Sequence, residues 1–346
     1  MNRPGFVSKF LRLLTAAALP ACGTLAAAEP DLSAQITAQI RAITDKCGEA
    51  ICRVEAGDDH GRLSGTAFLV DADGTLLTTY SVGGETDDIV VTIGTDKYPA
   101  TRLLADARSG LAILKVDATK PLPFLSCAKP QETGLSAPVI VLGHPLALPL
   151  SPSLGMVAGF DIGFRGRFFA TRHIRISVPV QRGQSGSPVL NFNGDLIGIL
   201  IGTVGEQNGI FALPIDAASK VLRDFRTSGR VRQGWLGADV RVTEAPEHGS
   251  NARIRDVRKD SPGFTGGLRP GDVILGVGDR KIANPEDVLS ASFFIVADEP
   301  LKIRISRAAK IHDLTVTPAD SPDGEGPTVQ REDPPFLGAT GVTPAK

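Results

Sequence analysis

The chain has 346 residues, 42% of them hydrophobic and 22% charged, with a formal net charge of −1. That length exceeds one ordinary core and predicts two domains. The near-neutral balance, with no basic run beyond the N-terminus, argues against nucleic acid as a partner. The 38 Gly and 25 Pro predict many turns and short strands, hence a mainly β fold.

The N-terminus reads as an export signal. Arg3, Lys9 and Arg12 flank an apolar, alanine-rich stretch running to Ala28. Small residues at Ala26 and Ala28 suit cleavage after Ala28, so residues 1–28 are expected to be removed. The alternatives are a membrane anchor, which Pro20 interrupts, and lipidation at Cys22, where "LPAC" resembles a lipoprotein cleavage box. All three take the chain out of the cytoplasm, to the periplasm or beyond.

Export puts the cysteines in an oxidising compartment. Cys47 and Cys52, in "CGEAIC", are a candidate disulfide that would leave Cys127 unpaired; the alternative is three free thiols. Neither cysteine spacing nor the scattered histidines suggests a zinc site, and no cofactor is expected.

"DLSAQITAQIRAI" places Leu32, Ile36, Ile40 and Ile43 on one helical face. From Ile51 to about Ala212 short apolar strands alternate with Gly, Pro or Asp turns, and Asn193-Gly194 signals a hairpin. Such spacing indicates a barrel or sandwich. "PIDAASKVLRDF" reads as a helix with Val221, Leu222 and Phe225 inward, and residues 226–234 read as a polar linker. A second unit follows over about 235–318. It contains a helix with Asn284 as cap and Pro285 at its first position, then two alternating strands. The tail, 319–346, has no apolar period and is expected to be disordered.

Four stretches carry a resemblance: "GTAFLVDADGTLLTTYSV", "DARSGLAILKV", "GQSGSPVLNFNGDLIGI" and "GWLGADV…SPGFTGGLRPGDVIL". Their order and spacing are similar to the HtrA (Deg-type) family, over about residues 35–318. The resemblance implies a trypsin-like double β-barrel over 29–228 and a PDZ domain, of α+β type, over 229–318. It also implies quality control of misfolded envelope proteins, in trimer-based assemblies or beside an active paralogue.

Residue by residue, the resemblance assigns the nucleophile to Ser185 and the oxyanion-hole N–H groups to Gly183 and Ser185. It also shows two departures. The position of the catalytic His holds Ser81, in "TTYSVG", and the position of the catalytic Asp holds Gly110, in "GLAILK". A serine hydroxyl needs a base, and that base needs an orienting acid. Removing the base of such a triad costs roughly 10⁶ in turnover. None of His60, His144, His173, His248 and His312 lies in the matching motif; His144 and His173 are the nearest substitutes. Asp106 lies four residues before Gly110, without a histidine to orient.

The expected function is therefore that of a pseudoprotease that binds peptides through its second unit. The alternative is a serine endopeptidase of weak or unconventional activity using Ser185. In the PDZ-like unit Trp235, Leu236, Gly237 and Ala238 match the family's carboxylate-binding loop, with Val288 and Leu289 expected in the apolar pocket. Peptide C-termini and unfolded envelope proteins are the expected partners. "PPFLGATG" at 334–341 resembles the start of a further PDZ unit.

Overall fold

The computed structural model describes residues 31–58, 61–84, 86, 88–127, 133–164, 167–204 and 209–321. The export signal, Cys22, His60 and the "PPFLGATG" segment lie outside them.

Helix α1 (Leu32–Cys47) opens the described chain. Of its predicted stripe only Ile43 is fully buried, joined by Cys47 one turn on. The first barrel comprises β1 (Ile51–Asp58), β2 (Gly61–Leu69), β3 (Thr75–Thr79), β4 (Asp88–Ile93), β5 (Asp96–Asp106) and β6 (Leu111–Val116), with a single-turn α2 (Tyr80–Gly83) after β3. The order is β1-β2-β3-β6-β5-β4, closed by pairing of β4 with β1. The second barrel comprises β7 (Pro138–Gly143), β8 (Ser151–Phe164), β9 (Arg167–Ser177), β10 (Pro188–Asn191), β11 (Leu196–Val204) and β12 (Gly209–Pro214), ordered β10-β11-β12-β9-β8-β7 and closed by β7 with β10.

Closure explains why the strands read as nearly unbroken apolar runs. Inward side chains such as Val54, Leu69 and Leu114 fill the first barrel, and Val139, Val141 and Ile197 fill the second. Their chain neighbours, Phe68 and Ile113 from one barrel and Ile140 and Leu142 from the other, meet in a third core between the barrels. Both faces of these strands are thus buried, so period-two alternation is lost.

The cysteine bridge is a correction. Cys47 and Cys52 are free thiols: Cys47 packs in the core between the barrels and Cys52 inside the first barrel. Helix end and strand start aim the two side chains into different cores.

Helix α3 (Ile215–Ser228) buries Val221 and Leu222, packs Phe225 against the same core, and ends at Gly229 in the left-handed conformation (φ 72°). The helix thus takes in the first residues of the expected linker. The segment after it is tied down. Lys220 and Asp224, both about 97–98% buried, pair at 2.6 Å. Lys220 Nζ also donates to the Arg232 carbonyl, and Asp224 accepts the Arg232 N–H at 3.1 Å.

The C-terminal unit comprises β13 (Gly234–Trp235), β14 (Ala238–Glu247), β15 (Ser250–Val257), α4 (Pro262–Thr265), β16 (Val273–Val277), β17 (Arg280–Lys281), α5 (Pro285–Ser292), β18 (Leu301–Arg307), β19 (Lys310–Val316) and β20 (Ala319–Asp320). Its main sheet runs β14-β15-β16-β18-β19, while β13 pairs with β20. Asn284 caps α5 as expected, its side chain accepting from the Asp287 N–H at 2.9 Å. The unit packs on the barrels through α5. Phe293 joins the core between the barrels, and Ser290 Oγ lies 2.9 Å from Thr171 Oγ1 on β9. Asp287 pairs with Arg172.

Candidate functional site

The loop 181–187 is held by its own turns and by one residue of the first barrel. Thr66 donates its N–H to the Ser185 carbonyl at 2.9 Å and its hydroxyl to the Gly183 carbonyl at 2.8 Å. Its hydroxyl also accepts the His144 N–H at 3.0 Å. The N–H groups of Gln184, Gly186 and Ser187 donate to Gln181, Leu200 and Gln184. Among the described residues, the N–H groups of Gly183 and Ser185 and the Ser185 hydroxyl have no hydrogen-bond partner. Those are the donors the resemblance assigns to an oxyanion hole.

Two glycines of the loop are required. Gly183 and Gly186 stand at φ 93° and 89°, and a Cβ on Gly183 would lie 2.5 Å from the His144 carbonyl. Ser187, the residue after Gly186, is not at positive φ. Its fit depends instead on Gly143, where an added Cβ would collide with Ser187 Oγ.

The two positions that the resemblance assigns to a base and an acid adjoin. Ser81 lies exposed on α2, its hydroxyl 3.1 Å from Thr79 Oγ1. Gly110 forms the β5–β6 turn at φ 74°, and a Cβ there would meet only the Ile201 side chain, at 4.0 Å. Asp106 is engaged inside that turn, accepting from the Ser109 hydroxyl at 2.5 Å and the Ser109 N–H at 3.2 Å.

No described histidine is hydrogen-bonded to Ser185, although His144 Nε2 is buried without a partner among the described residues. His144 Nδ1 lies 3.0 Å from the Leu148 carbonyl, and burial holds its pKa below the ordinary value. His173 is 2% exposed, stacks on Phe169 and lies 2.8 Å from the Thr171 carbonyl; burial pushes its pKa down to about 4. His248 Nε2 faces the Ala309 carbonyl, and His312 sits on β19.

In the C-terminal unit, Trp235–Ala238 form the bend from β13 into β14. The carbonyls of Leu236 and Gly237 accept from Gly263 and Arg258 at 2.8 Å each, which fixes the bend. The N–H groups of Leu236 and Gly237 have no acceptor among the described residues. Gly237 is left-handed (φ 71°), and a Cβ there would collide with Ser261 and Trp235. Among the described residues β14 is the edge of its sheet, so one side of the strand is open to an added strand. Val288 packs into the unit's core beneath this edge, and Leu289 is half-buried on α5.

Among the described residues, no group of three or more His, Cys, Asp or Glu is placed to hold a metal ion.

Matches to known families name these parts. A trypsin-like peptidase domain matches residues 65–199 and a PDZ domain matches residues 234–317. The chain is therefore a trypsin-like double β-barrel followed by a PDZ domain. That combination, with the relatives it resembles, supports the likeness to the HtrA family read from the motifs. A probable periplasmic serine endoprotease DegP-like of Pseudomonas fluorescens is 28% identical over 271 residues, covering 75% of this chain and 56% of that protein. One of the same description from Hahella chejuensis is 30% identical, covering 65% and 50%. The chain thus spans about half the length of the curated relatives it matches. In fold it resembles the HtrA-type protease AlgW with tripeptide (22% identity, TM-score 0.66, 82% of this chain and 97% of that one). It also resembles the serine endoprotease from Yersinia pestis (20%, TM-score 0.56, 82% and 98%).

Sequence reasoning missed Thr66, which braces the loop from the other barrel. Its only signal was a threonine among apolar residues in "GTAFLV". It also missed the Lys220–Asp224–Arg232 buckle, whose signal was the i, i+4 charge pair on an otherwise apolar helix face.

Proposed function

We propose that this chain is an exported, HtrA-type pseudoprotease: a double barrel that keeps its nucleophile loop but does not cleave, joined to a PDZ domain that reads peptide C-termini. The observation that carries this reading is at the base position. Ser81 holds a hydroxyl partnered by Thr79 where proton abstraction needs an imidazole, and no described histidine faces Ser185 as a partner. At the acid position Gly110 offers no carboxylate.

The PDZ half rests on an open β14 edge, a bend with unpartnered N–H groups, and solved relatives described as bound to a tripeptide or decapeptide. The curated relatives' periplasmic names and the N-terminal signal motif support export, with cleavage after Ala28. Clients in this reading are peptides or unfolded envelope proteins with apolar C-termini.

One observation favours a second reading, a slow serine endopeptidase: the Ser185 hydroxyl and the Gly183 and Ser185 N–H groups are unengaged. Incubating the purified chain with unfolded casein separates the two. The pseudoprotease reading predicts no cleavage above that of Ser185→Ala. Cleavage that disappears in Ser185→Ala establishes the second reading.

A further inference from the structure

We propose that β14 sorts peptides by charge: Arg241 takes an acidic side chain at the third residue before the peptide's last. This rests on the reading that the PDZ bend captures a free carboxylate. The ligand class is a peptide with an apolar last residue and Asp or Glu at that third position.

The register follows from the bend. Leu236 and Gly237, whose N–H groups hold the carboxylate in that reading, stand immediately before β14. A captured peptide therefore ends beside Ala238, and its earlier residues run antiparallel along the open edge of the strand. Counting back, the residue before the last falls beside Asp239 and the third before the last beside Arg241. Strand alternation then assigns the faces. Val240 and Val242 pair with Ile254 and Ala252, which are buried in the unit's core, so that side of β14 faces the core. Arg241 pairs with Arg253 on the opposite, outer face. A peptide side chain directly beside Arg241 shares that face.

Charge on the outer face is uneven. Arg241 and Arg253 stand directly opposite one another, a like-charge pair that disfavours an antiparallel ladder. Arg253 is compensated: it pairs with Glu247 at 2.8 Å and donates to the Gly271 carbonyl at 2.8 Å. Glu247 is committed further, accepting from the Ser306 hydroxyl at 2.6 Å. Arg241 is exposed and has no hydrogen-bond or ion-pair partner among the described residues. An incoming carboxylate beside it supplies the missing partner.

Nearer the bend the balance reverses. Asp239 stands opposite Asp256, and Arg255 pairs with Asp239. Two carboxylates meet one guanidinium there, so the residue before the last gains nothing from being acidic. A charged side chain on an open edge also deters other strands. Arg241 thus admits peptides that neutralise it and disfavours those that carry a cation at the same place.

The test is a fluorescence-anisotropy titration of the full chain with labelled peptides that share an apolar last residue and a free carboxylate. They carry Glu, Gln or Lys at the third residue before the last, and the Glu peptide is also made as its C-terminal amide. The proposal predicts that the Glu peptide binds about fivefold more tightly than the Lys peptide at low ionic strength, with Gln between them, as for an exposed ion pair. High salt should erase the difference. A peptide of the same charge with Glu moved to the residue before the last should bind no better than the Gln peptide. This series needs no variant. Arg241→Glu should reverse the order of the Glu and Lys peptides, and Arg241→Lys should keep it. Equal affinity for the Glu and Lys peptides, an equal gain from Glu at either position, or an order that Arg241→Glu leaves unchanged overturns the proposal. Carboxylate capture stands in those cases if the acid still binds more tightly than the amide. Equal binding of the Glu peptide and its amide overturns both.

Discussion

The backbone N–H of Tyr80 donates to the Gly110 carbonyl at 2.7 Å. Tyr80 precedes Ser81, so one hydrogen bond joins the two positions that the resemblance assigns to a triad's base and acid. Gly110 stands at φ 74°, with its open side toward Ile201, which offers a carboxylate no donor.

Replacing the missing side chains should therefore fail to restore proteolysis. Gly110→Asp is expected to cost about 1 kcal/mol of stability at most, since Asp is one of the few side chains that tolerate the left-handed region, as Asp260 and Asp298 do here. Gly110→Asp with Ser81→His should remain inactive on casein while melting cooperatively. Measurable turnover by the double variant would show that the acid loop relaxes at low cost.

Lys220 and Asp224 are almost wholly buried and also hold the Arg232 backbone. Lys220 Nζ lies 5.4 Å from the Phe293 ring centroid, so the pair touches barrels, linker and PDZ domain together. Lys220→Ala leaves a buried carboxylate unpaired and should cost about 3–5 kcal/mol. Lys220→Met with Asp224→Leu should recover most of that loss. Thermal melts of the three proteins check the order; a neutral Lys220→Ala would mean that water reaches Asp224.

Burial holds the His173 pKa at about 4, against an ordinary 6.5. The folded state keeps the ring neutral, so the unfolded chain binds more protons between these values. Stability is complete above pH 6.5 and falls as pH drops toward 4, by about 3 kcal/mol for this group alone. His173→Gln should flatten that part of the profile. Denaturant melts from pH 7 to 4 measure it, and identical slopes for the two proteins would remove His173 as the cause.

At the PDZ bend, a Cβ on Gly237 collides with Ser261 and Trp235. Gly237→Ala should therefore weaken capture of a free peptide C-terminus, as amidating the peptide should, by about tenfold or more. Titration of the full chain with an acid and amide peptide pair reads both effects at the PDZ site. Unchanged PDZ affinity in either case would leave β14 as the only determinant.

Much of this was legible in the sequence, for identifiable reasons. Closely spaced apolar runs foretold barrels, and Asn284-Pro285 foretold α5, because turns and caps are local. Ser185, Ser81 and Gly110 take their assignments from motifs whose order and spacing resemble the family's. Gly110 even signalled its own backbone, since glycine commonly marks positive φ. The cysteine pair misled because five residues of separation say nothing about which core each thiol faces. Ser187 is constrained by the close approach of Gly143, a long-range contact that the sequence does not show. Thr66 and the docking of α5 on β9 were invisible for the same reason.

The most direct test of the account is reaction of the purified chain with a fluorophosphonate probe, which marks only a serine activated by a base. The account predicts labelling no greater than that of Ser185→Ala, at neutral and at alkaline pH. Labelling at Ser185 that vanishes in the alanine variant would contradict it, and would make this chain a working protease with an unrecognised base.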